Sequence, residues 1–442
     1  MILSLLLAAA PVGCEYQVVA SAGAQTLTIE AKIPPGYGAT LSVDPPVADY
    51  VELLGDAGAA GATVPCAHSG CTVRYRFRLA DAARELQSRK WAFADGVGLY
   101  AAPSSWLLRP SAAPPDARFR LRVETPKGLS FISGLHRAAE PSSWEGPVSA
   151  LDDAPWSGFA PFAVSVAPVG GASFELAIAP GPLAVSPEQL RAWVTRSAKL
   201  LTAFYGRFPV PQVAILVLPG EGDGVGFGTA MGNGGAGVLI WVGAQAGPEA
   251  LARDWVLPHE LSHFAFPSLP RQNTWLEEGL ATWMEPIIRA RLGEISTDDY
   301  WRTLISKLPL GVPGKGDRGL DATPTWARTY WGGALFCFEA DVEIREASGN
   351  RQSLDTALKA IIAAGGTQEV QWDLAHALKV GDAALEKPKL TALHARLGAR
   401  PGTVDLPALF KRLGVAVVNG TVVYDDRAPL ASIRKALTTA NP

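Results

Sequence analysis

Apolar and polar residues alternate in short runs through the first 180 residues, and glycine and proline separate the runs. Successive side chains of a strand point to opposite faces of a sheet, so this alternation predicts strands with one buried face. The predicted strands fall within residues 16–32, 72–79, 119–124, 162–167 and 173–179. We therefore predict an all-β, sandwich-like N-terminal domain over residues 15–180.

The pattern changes after Gly181 and Pro182. Ser186, Pro187 and Gln189 are typical of a helix that begins with a serine cap, a proline in the first turn and a glutamine three residues after the cap. We predict a helix to about residue 205, a strand over 211–218, a glycine-rich loop over 220–237 and a strand over 238–242. This loop leads into a strand and not into a helix, which argues against a phosphate-binding loop.

Helical spacing of apolar residues dominates from residue 250 onward. Helices are predicted over residues 250–265, 275–292, 297–307, 330–347, 353–364 and 368–379. Asn419 and Gly420 separate two short apolar runs, 415–418 and 421–424, which predicts a hairpin. The fold class is therefore α+β: a β domain, an α/β domain over 181–300 and a mainly helical C-terminal domain over 301–442.

The composition is that of a globular protein. Of the 442 residues, 48% are apolar and 18% are charged, and the net charge is −3. Such a balance offers no basic surface for phosphates, so we expect no nucleic acid partner. No apolar run after the N-terminus reaches the length of a transmembrane helix, so no membrane span is predicted.

Residues 1–14 predict export. Residues 2–10 form a short apolar run that ends in three alanines, as in a secretory signal segment, and Cys14 is a candidate for lipid attachment. The alternative is an apolar N-terminus without a targeting role. Cys66 and Cys71 are spaced for a local disulfide, which fits an exported protein that is periplasmic or secreted, either free or associated with the cell envelope. A metal knuckle that includes His68 is the alternative for this cysteine pair.

The sequence His259-Glu260-Leu261-Ser262-His263 forms an H-E-x-x-H motif. On a helix, positions i and i+4 are about 400° apart and differ by roughly 6 Å in height, so both imidazoles can bind one zinc ion. Glu260 lies where a general base for zinc-bound water belongs. A catalytic zinc needs a third protein ligand, and Glu277 and Glu278 begin the next helical segment. Their alternative role is a solvated helix face.

The motif and the segment W-L-E-E-G-L-A-T-W that follows it resemble the gluzincin zinc aminopeptidases. The resemblance is closest to the glycyl aminopeptidase family, which is related to the membrane alanyl aminopeptidase family. It extends to residues 98–110 and 204–209. It implies that Glu278, with fourteen residues between it and His263, is the third zinc ligand. It also implies a thermolysin-like catalytic domain over 181–300.

Two further segments resemble motifs of these families. The segment that contains Tyr330, T-Y-W-G-G-A-L, resembles one whose tyrosine hydroxyl stabilises the oxyanion of the reaction. The segment T-A-M-G-N resembles G-A-M-E-N, whose glutamate binds the free α-amine of the substrate, but Gly232 stands at the glutamate position. We expect the strand at 238–242 to align the peptide backbone, with Glu221 or Asp223 as candidates for the missing charge.

The resemblance implies zinc-dependent hydrolysis of peptide bonds in a peptide or protein substrate, with Glu260 and Tyr330 as catalytic residues and His259, His263 and Glu278 as Zn²⁺ ligands. Two alternatives remain. The first is a non-catalytic binding relative of the fold, which retention of these five residues disfavours. The second is a zinc hydrolase or endopeptidase that needs no free N-terminal amine, which Gly232 leaves open.

Overall fold

The computed structural model describes residues 13–55 and 63–439. Residues 1–12, which make up most of the predicted signal segment, lie outside the described residues. Cys14 begins the first strand and its side chain is fully buried, which leaves the thiol inside the protein. Cys66 and Cys71 form a disulfide, as the local-disulfide interpretation predicts.

The described residues of the N-terminal unit form three sheets and two short α-helices. The strands are β1 (Cys14–Ala20), β2 (Leu27–Ile33), β3 (Thr40–Ser42), β4 (Val51–Leu53), β5 (Thr63–Pro65), β6 (Cys71–Phe77), β7 (Ala92–Asp95), β8 (Gly98–Ala101), β9 (Arg109–Pro110), β10 (Arg118–Glu124), β11 (Ser130–Ser133), β12 (His136–Arg137), β13 (Ser143–Pro147) and β14 (Ser157–Ala160). The helices are α1 (Leu79–Leu86) and α2 (Pro103–Trp106).

The two larger sheets of this unit share one core. The first sheet has seven strands in the order β12-β13-β10-β1-β2-β6-β4, and the second has four in the order β11-β14-β8-β7. Tyr16 and Phe119 from the first sheet and Phe131 and Phe159 from the second are buried in the same apolar cluster. The predicted alternation therefore corresponds to real strands whose apolar faces meet.

A five-stranded sheet forms the centre of the molecule, in the order β15-β16-β17-β19-β18. Its elements and the helices that follow them are β15 (Ala163–Val169), β16 (Ala172–Ile178), α3 (Pro187–Tyr205), β17 (Gln212–Gly220), β18 (Val225–Met231), β19 (Gly237–Gly243), α4 (Pro248–Arg253), α5 (Val256–Ser262) and α6 (Thr274–Arg291). Strand β16 pairs in parallel with β17, so the hairpin β15–β16 belongs to this sheet. The predicted division at residue 181 separated the hairpin from it, because alternation identifies a strand but not its partner.

The glycine-rich stretch 220–237 is not only a loop. It contains β18, which pairs antiparallel with β19 and forms the edge of the sheet. Strand β19 lies between β17 and β18, so it has no free edge, and the expectation that it aligns a peptide is wrong; β18 has that edge. Glycine is rare in strands, which hid β18 in the sequence.

The helical region at 250–265 is divided at Asp254, which has an extended backbone. The Asp254 carboxylate accepts hydrogen bonds from the backbone N–H groups of Val256 and Leu257, at 2.8 and 3.0 Å. These are N–H groups that a helix start leaves without a backbone partner. The aspartate therefore ends α4 and caps α5, which carries the H-E-x-x-H motif.

The C-terminal region is mainly helical. Its elements are α7 (Thr297–Lys307), α8 (Gly333–Ser348), α9 (Leu354–Ala363), α10 (Leu374–Ala383), α11 (Leu390–Leu393), α12 (Leu406–Leu413), β20 (Val415–Val418), β21 (Thr421–Tyr424) and α13 (Ala431–Thr438). The hairpin β20–β21 confirms the prediction at 415–424. The helix predicted at 368–379 instead begins at Leu374, after Asp373 caps it through the His376 N–H. Among the described residues, no helix combines the length and apolarity needed to cross a bilayer.

Candidate metal centre

Three side chains that the sequence predicts as zinc ligands converge beneath the central sheet. His259 lies on α5 and His263 follows directly after it, while Glu278 lies on α6. Glu278 Oε2 is 3.5 Å from His259 Nε2 and 3.6 Å from His263 Nε2. One donor atom from each of the three residues lies within 4.8 Å of the other two.

These separations fit one tetrahedral ion. Zinc binds imidazole nitrogen and carboxylate oxygen at about 2.0–2.2 Å, so two donors of a tetrahedral site lie roughly 3.4 Å apart. Burial lowers the pKa of His263, which favours the neutral imidazole that binds a metal. Burial opposes ionisation of Glu278, but His263, His259 and Tyr330 together hold the pKa of its carboxyl below the ordinary value. The donor set therefore suits Zn²⁺.

Glu260 contacts the edge strand β18 as well as lining the cleft that contains the three donors. Its Oε2 accepts a hydrogen bond of 2.7 Å from the backbone N–H of Ala230 on β18. Burial, more than any charge nearby, raises the pKa of Glu260 to about 7. A carboxyl with such a pKa can accept a proton and release it again near neutral pH.

Tyr330 reaches the donors because two helices touch through glycine. A Cβ atom on Gly279 of α6 would overlap Gly333 at the start of α8, so the helices approach closely only without side chains there. Tyr330 lies in the π-helical turn Arg328–Gly332 directly before α8. The contact explains why both resembling segments contain glycine, and it brings Tyr330 beside Glu278.

The Tyr330 ring stacks on that of His259, with 6.4 Å between ring centroids. Its hydroxyl lies near the Glu278 carboxylate, and burial, more than the charges of Glu278 and Glu260, raises the pKa of Tyr330 to about 12. The hydroxyl therefore keeps its proton at neutral pH and can act as a donor.

Gly232 has no space for a side chain. The residue is buried, and a Cβ atom on it would overlap the backbone oxygen of Gln368. The segment 367–371 holds this position through bonds from Asn233 N–H to the Gln368 carbonyl and from Gly234 N–H to the Glu369 carbonyl. A glutamate therefore cannot occupy position 232 in this backbone arrangement.

The two candidates for a replacement charge do not reach the site. Glu221 and Asp223 are exposed before β18, and neither is among the described residues that line the cleft around the donors. Glu277 does line it; its Oε1 accepts a hydrogen bond from the Leu269 N–H, and burial raises its pKa to about 8. Glu277 and Glu278 are adjacent in the sequence, but the fold places them in different environments: Glu278 lies with the two imidazoles, and Glu277 bonds the Leu269 backbone.

The cleft has a volume of about 1280 Å³ and extends from β18 across the donors to α7. Besides the predicted residues, Trp255 and Trp326 line it. Neither tryptophan was predicted as a site residue. A signal was present, because each lies four positions before a site residue, His259 or Tyr330, and such spacing places both side chains on one helix face.

Comparison of the sequence with models of protein families and with curated proteins gives no match. Solved structures do match. An aminopeptidase N family protein from Idiomarina loihiensis has a TM-score of 0.68 at 12% identity, over 94% of this chain and 82% of that one. The M1 zinc metallopeptidase from Deinococcus radiodurans has a TM-score of 0.58 at 16% identity, over 89% and 93%. A mutant of the latter bound to a Tyr-Ser-Ala substrate gives 0.58 at 17% identity, over 89% and 94%.

These matches cover 89% to 94% of this chain. The chain therefore has the fold of the M1 zinc metallopeptidases, the fold that the aminopeptidase N family protein shares. This agrees with the gluzincin resemblance of the sequence at the level of the fold.

Proposed function

We propose that this chain is a zinc metallopeptidase that hydrolyses peptide bonds. The observation that carries the proposal is the convergence of His259, His263 and Glu278, with Glu260 beside them, in one large cleft. The similar structure from Deinococcus radiodurans with bound Tyr-Ser-Ala supports a peptide as the substrate. Closeness to the glycyl aminopeptidases is part of the same proposal and rests on the sequence motifs.

Each residue of the site has a separate role in the proposed reaction. His259, His263 and Glu278 hold Zn²⁺, which when bound supplies a Lewis acid for the attacking water and the scissile carbonyl. Glu260 accepts a proton from the water and later donates it to the leaving amine. Tyr330 donates a hydrogen bond to the oxyanion that develops on the carbonyl oxygen. The hydrogen bond from Ala230 keeps Glu260 oriented, which a non-catalytic relative would not need.

Zinc binding is the first test. The wild-type protein is expected to hold about one zinc ion per chain, and His263→Ala to lose most of it together with peptide hydrolysis, because two protein ligands bind zinc weakly. Metal analysis after dialysis measures this. His68→Ala, which removes an exposed histidine, is the matched control and should keep its zinc. Full zinc occupancy in His263→Ala would disprove the ligand assignment.

We further propose that a free N-terminal amine is not required. Gly232 offers no carboxylate, and Glu221 and Asp223 do not line the cleft. N-acetylated and free-amine versions of one peptide should therefore be cleaved within about tenfold of each other, a difference of roughly 1.4 kcal/mol or less. A paired digest read by mass spectrometry measures this ratio. A loss above about a hundredfold on acetylation would contradict the proposal and would make Glu277 the next residue to replace.

We also propose export to an oxidising compartment. The Cys66–Cys71 disulfide supports this, since such bonds persist mainly outside the cytosol. Fractionation of the native host tests it: recovery of the protein only in the cytosol, with both thiols reduced, would contradict it.

A further inference from the structure

Four aromatic rings form a continuous row across the metal centre. The ring centroids of Trp255 and His259 are 6.0 Å apart, those of His259 and Tyr330 6.4 Å, and those of Tyr330 and Trp326 5.8 Å. We call these four residues the aromatic row. Its two inner members belong to the proposed catalytic machinery, and its two outer members have no role in the mechanism described above.

The outer members are unusually exposed for tryptophan. Trp255 is 55% exposed and Trp326 is 65% exposed, and both line the cleft. Among the described residues, no other tryptophan belongs to the exposed large apolar side chains. Removing a large aromatic face from water is favourable, so exposed rings inside a cleft are suited to binding an apolar ligand.

The row also fixes where such a ligand would lie. Trp255 precedes His259 by one helical turn, and Trp326 precedes Tyr330 by the same spacing, so each tryptophan is held by the element that positions a site residue. A side chain that covers either tryptophan is therefore next to the bond being cleaved.

We propose that Trp255 and Trp326 bind large apolar or aromatic side chains of the peptide that flank the scissile bond, one tryptophan on each side. This inference rests on the proposed function and names its substrate class. Gly232 cannot form an ion pair with the N-terminal amine of a substrate. The burial of substrate side chains against the two indoles supplies binding energy instead.

The test compares matched peptides with phenylalanine or alanine next to the scissile bond. The wild-type kcat/KM should favour phenylalanine by about tenfold or more, and Trp326→Ala or Trp255→Ala should each reduce this ratio at least about fivefold. The position at which selectivity is lost should differ between the two variants. Trp326→Phe should restore most of it. Val166→Ala, which changes an exposed apolar residue on the far edge strand of the sheet, is the control and should keep the ratio.

A role of Trp326 in holding Tyr330 would give another result. In that case kcat would fall equally for both peptides and the ratio would not change, which would overturn the inference. Calorimetry of the same peptides with Glu260→Gln separates binding from hydrolysis. If no peptide is hydrolysed but Glu260→Gln prefers the phenylalanine peptide, and Trp326→Ala in that background abolishes the preference, the proposed function fails while the binding of apolar side chains by the tryptophans stands. Equal affinity for both peptides would overturn the inference.

Discussion

Glu260→Gln is expected to lower kcat for peptide hydrolysis by about three orders of magnitude or more while the zinc content stays near that of the wild type. A thousandfold loss corresponds to about 4 kcal/mol of transition-state stabilisation. The amide of glutamine has nearly the shape of the carboxylate, but it cannot accept the proton of the attacking water. Because Glu260 lies outside the group of converging donors, its replacement should leave metal binding intact.

The structure also gives a reason to expect a normal fold in this variant. Glu260 Oε2 accepts its hydrogen bond from the Ala230 N–H, and the carbonyl oxygen of a glutamine can accept the same bond. Glu249→Gln, on an exposed part of α4, is the matched control and should retain full activity. Single-turnover and steady-state assays on samples of equal zinc content measure the effect. Near-normal turnover in zinc-loaded Glu260→Gln would rule out Glu260 as the base.

Local features of the fold could be predicted from the sequence. The helix start at Ser186 is an example, since the Ser186 side chain and the Gln189 side chain each bond the backbone of the other as the motif predicts. The helix over Thr297–Lys307 and the hairpin around Asn419 and Gly420 also match their predicted positions. In each case the determining residues lie within a few positions of one another.

Features that depend on distant contacts could not be predicted in this way. Strand β18 is defined by its pairing with β19 and by the Glu260 contact, and its glycines obscure the alternating pattern. The environment of Gly232 also depends on a distant contact and could not be predicted. From the sequence it is a missing carboxylate, but in the structure it is a position that Gln368 closes from the C-terminal region. Only this second description explains why a carboxylate could not simply be restored there.

The metal centre could be predicted from the sequence only in part. The H-E-x-x-H spacing predicts two converging imidazoles from helix geometry alone. The choice between Glu277 and Glu278 needed a resemblance, and the structure places only the Glu278 carboxylate with the two imidazoles. The position of Tyr330 depends on the contact between Gly279 and Gly333, which no local pattern could show.

The Tyr330 hydroxyl, which the contact between Gly279 and Gly333 brings to the metal centre, is the subject of the second prediction with a large effect on kcat. Tyr330→Phe is expected to lower kcat about a hundredfold and to change KM little, because the hydroxyl bonds an oxyanion that exists in the transition state and not in the bound substrate. The loss corresponds to roughly 3 kcal/mol, the value of one preorganised donor. The phenylalanine ring keeps the stacking on His259 and the packing against Trp326, so only the hydroxyl is tested.

A suitable control removes a buried hydroxyl elsewhere. The Tyr300 hydroxyl is buried on α7 and has no hydrogen-bond partner among the residues that the structure describes, so Tyr300→Phe should leave kcat and KM unchanged. Zinc content must be equal in all samples, because the Tyr330 hydroxyl also lies near the Glu278 carboxylate. A Tyr330→Phe enzyme with full zinc and a reduced kcat supports oxyanion stabilisation. If zinc is lost from this variant and added zinc restores kcat, Tyr330 instead orients the proposed ligand Glu278. An unchanged kcat would leave Tyr330 as a packing residue of the aromatic row.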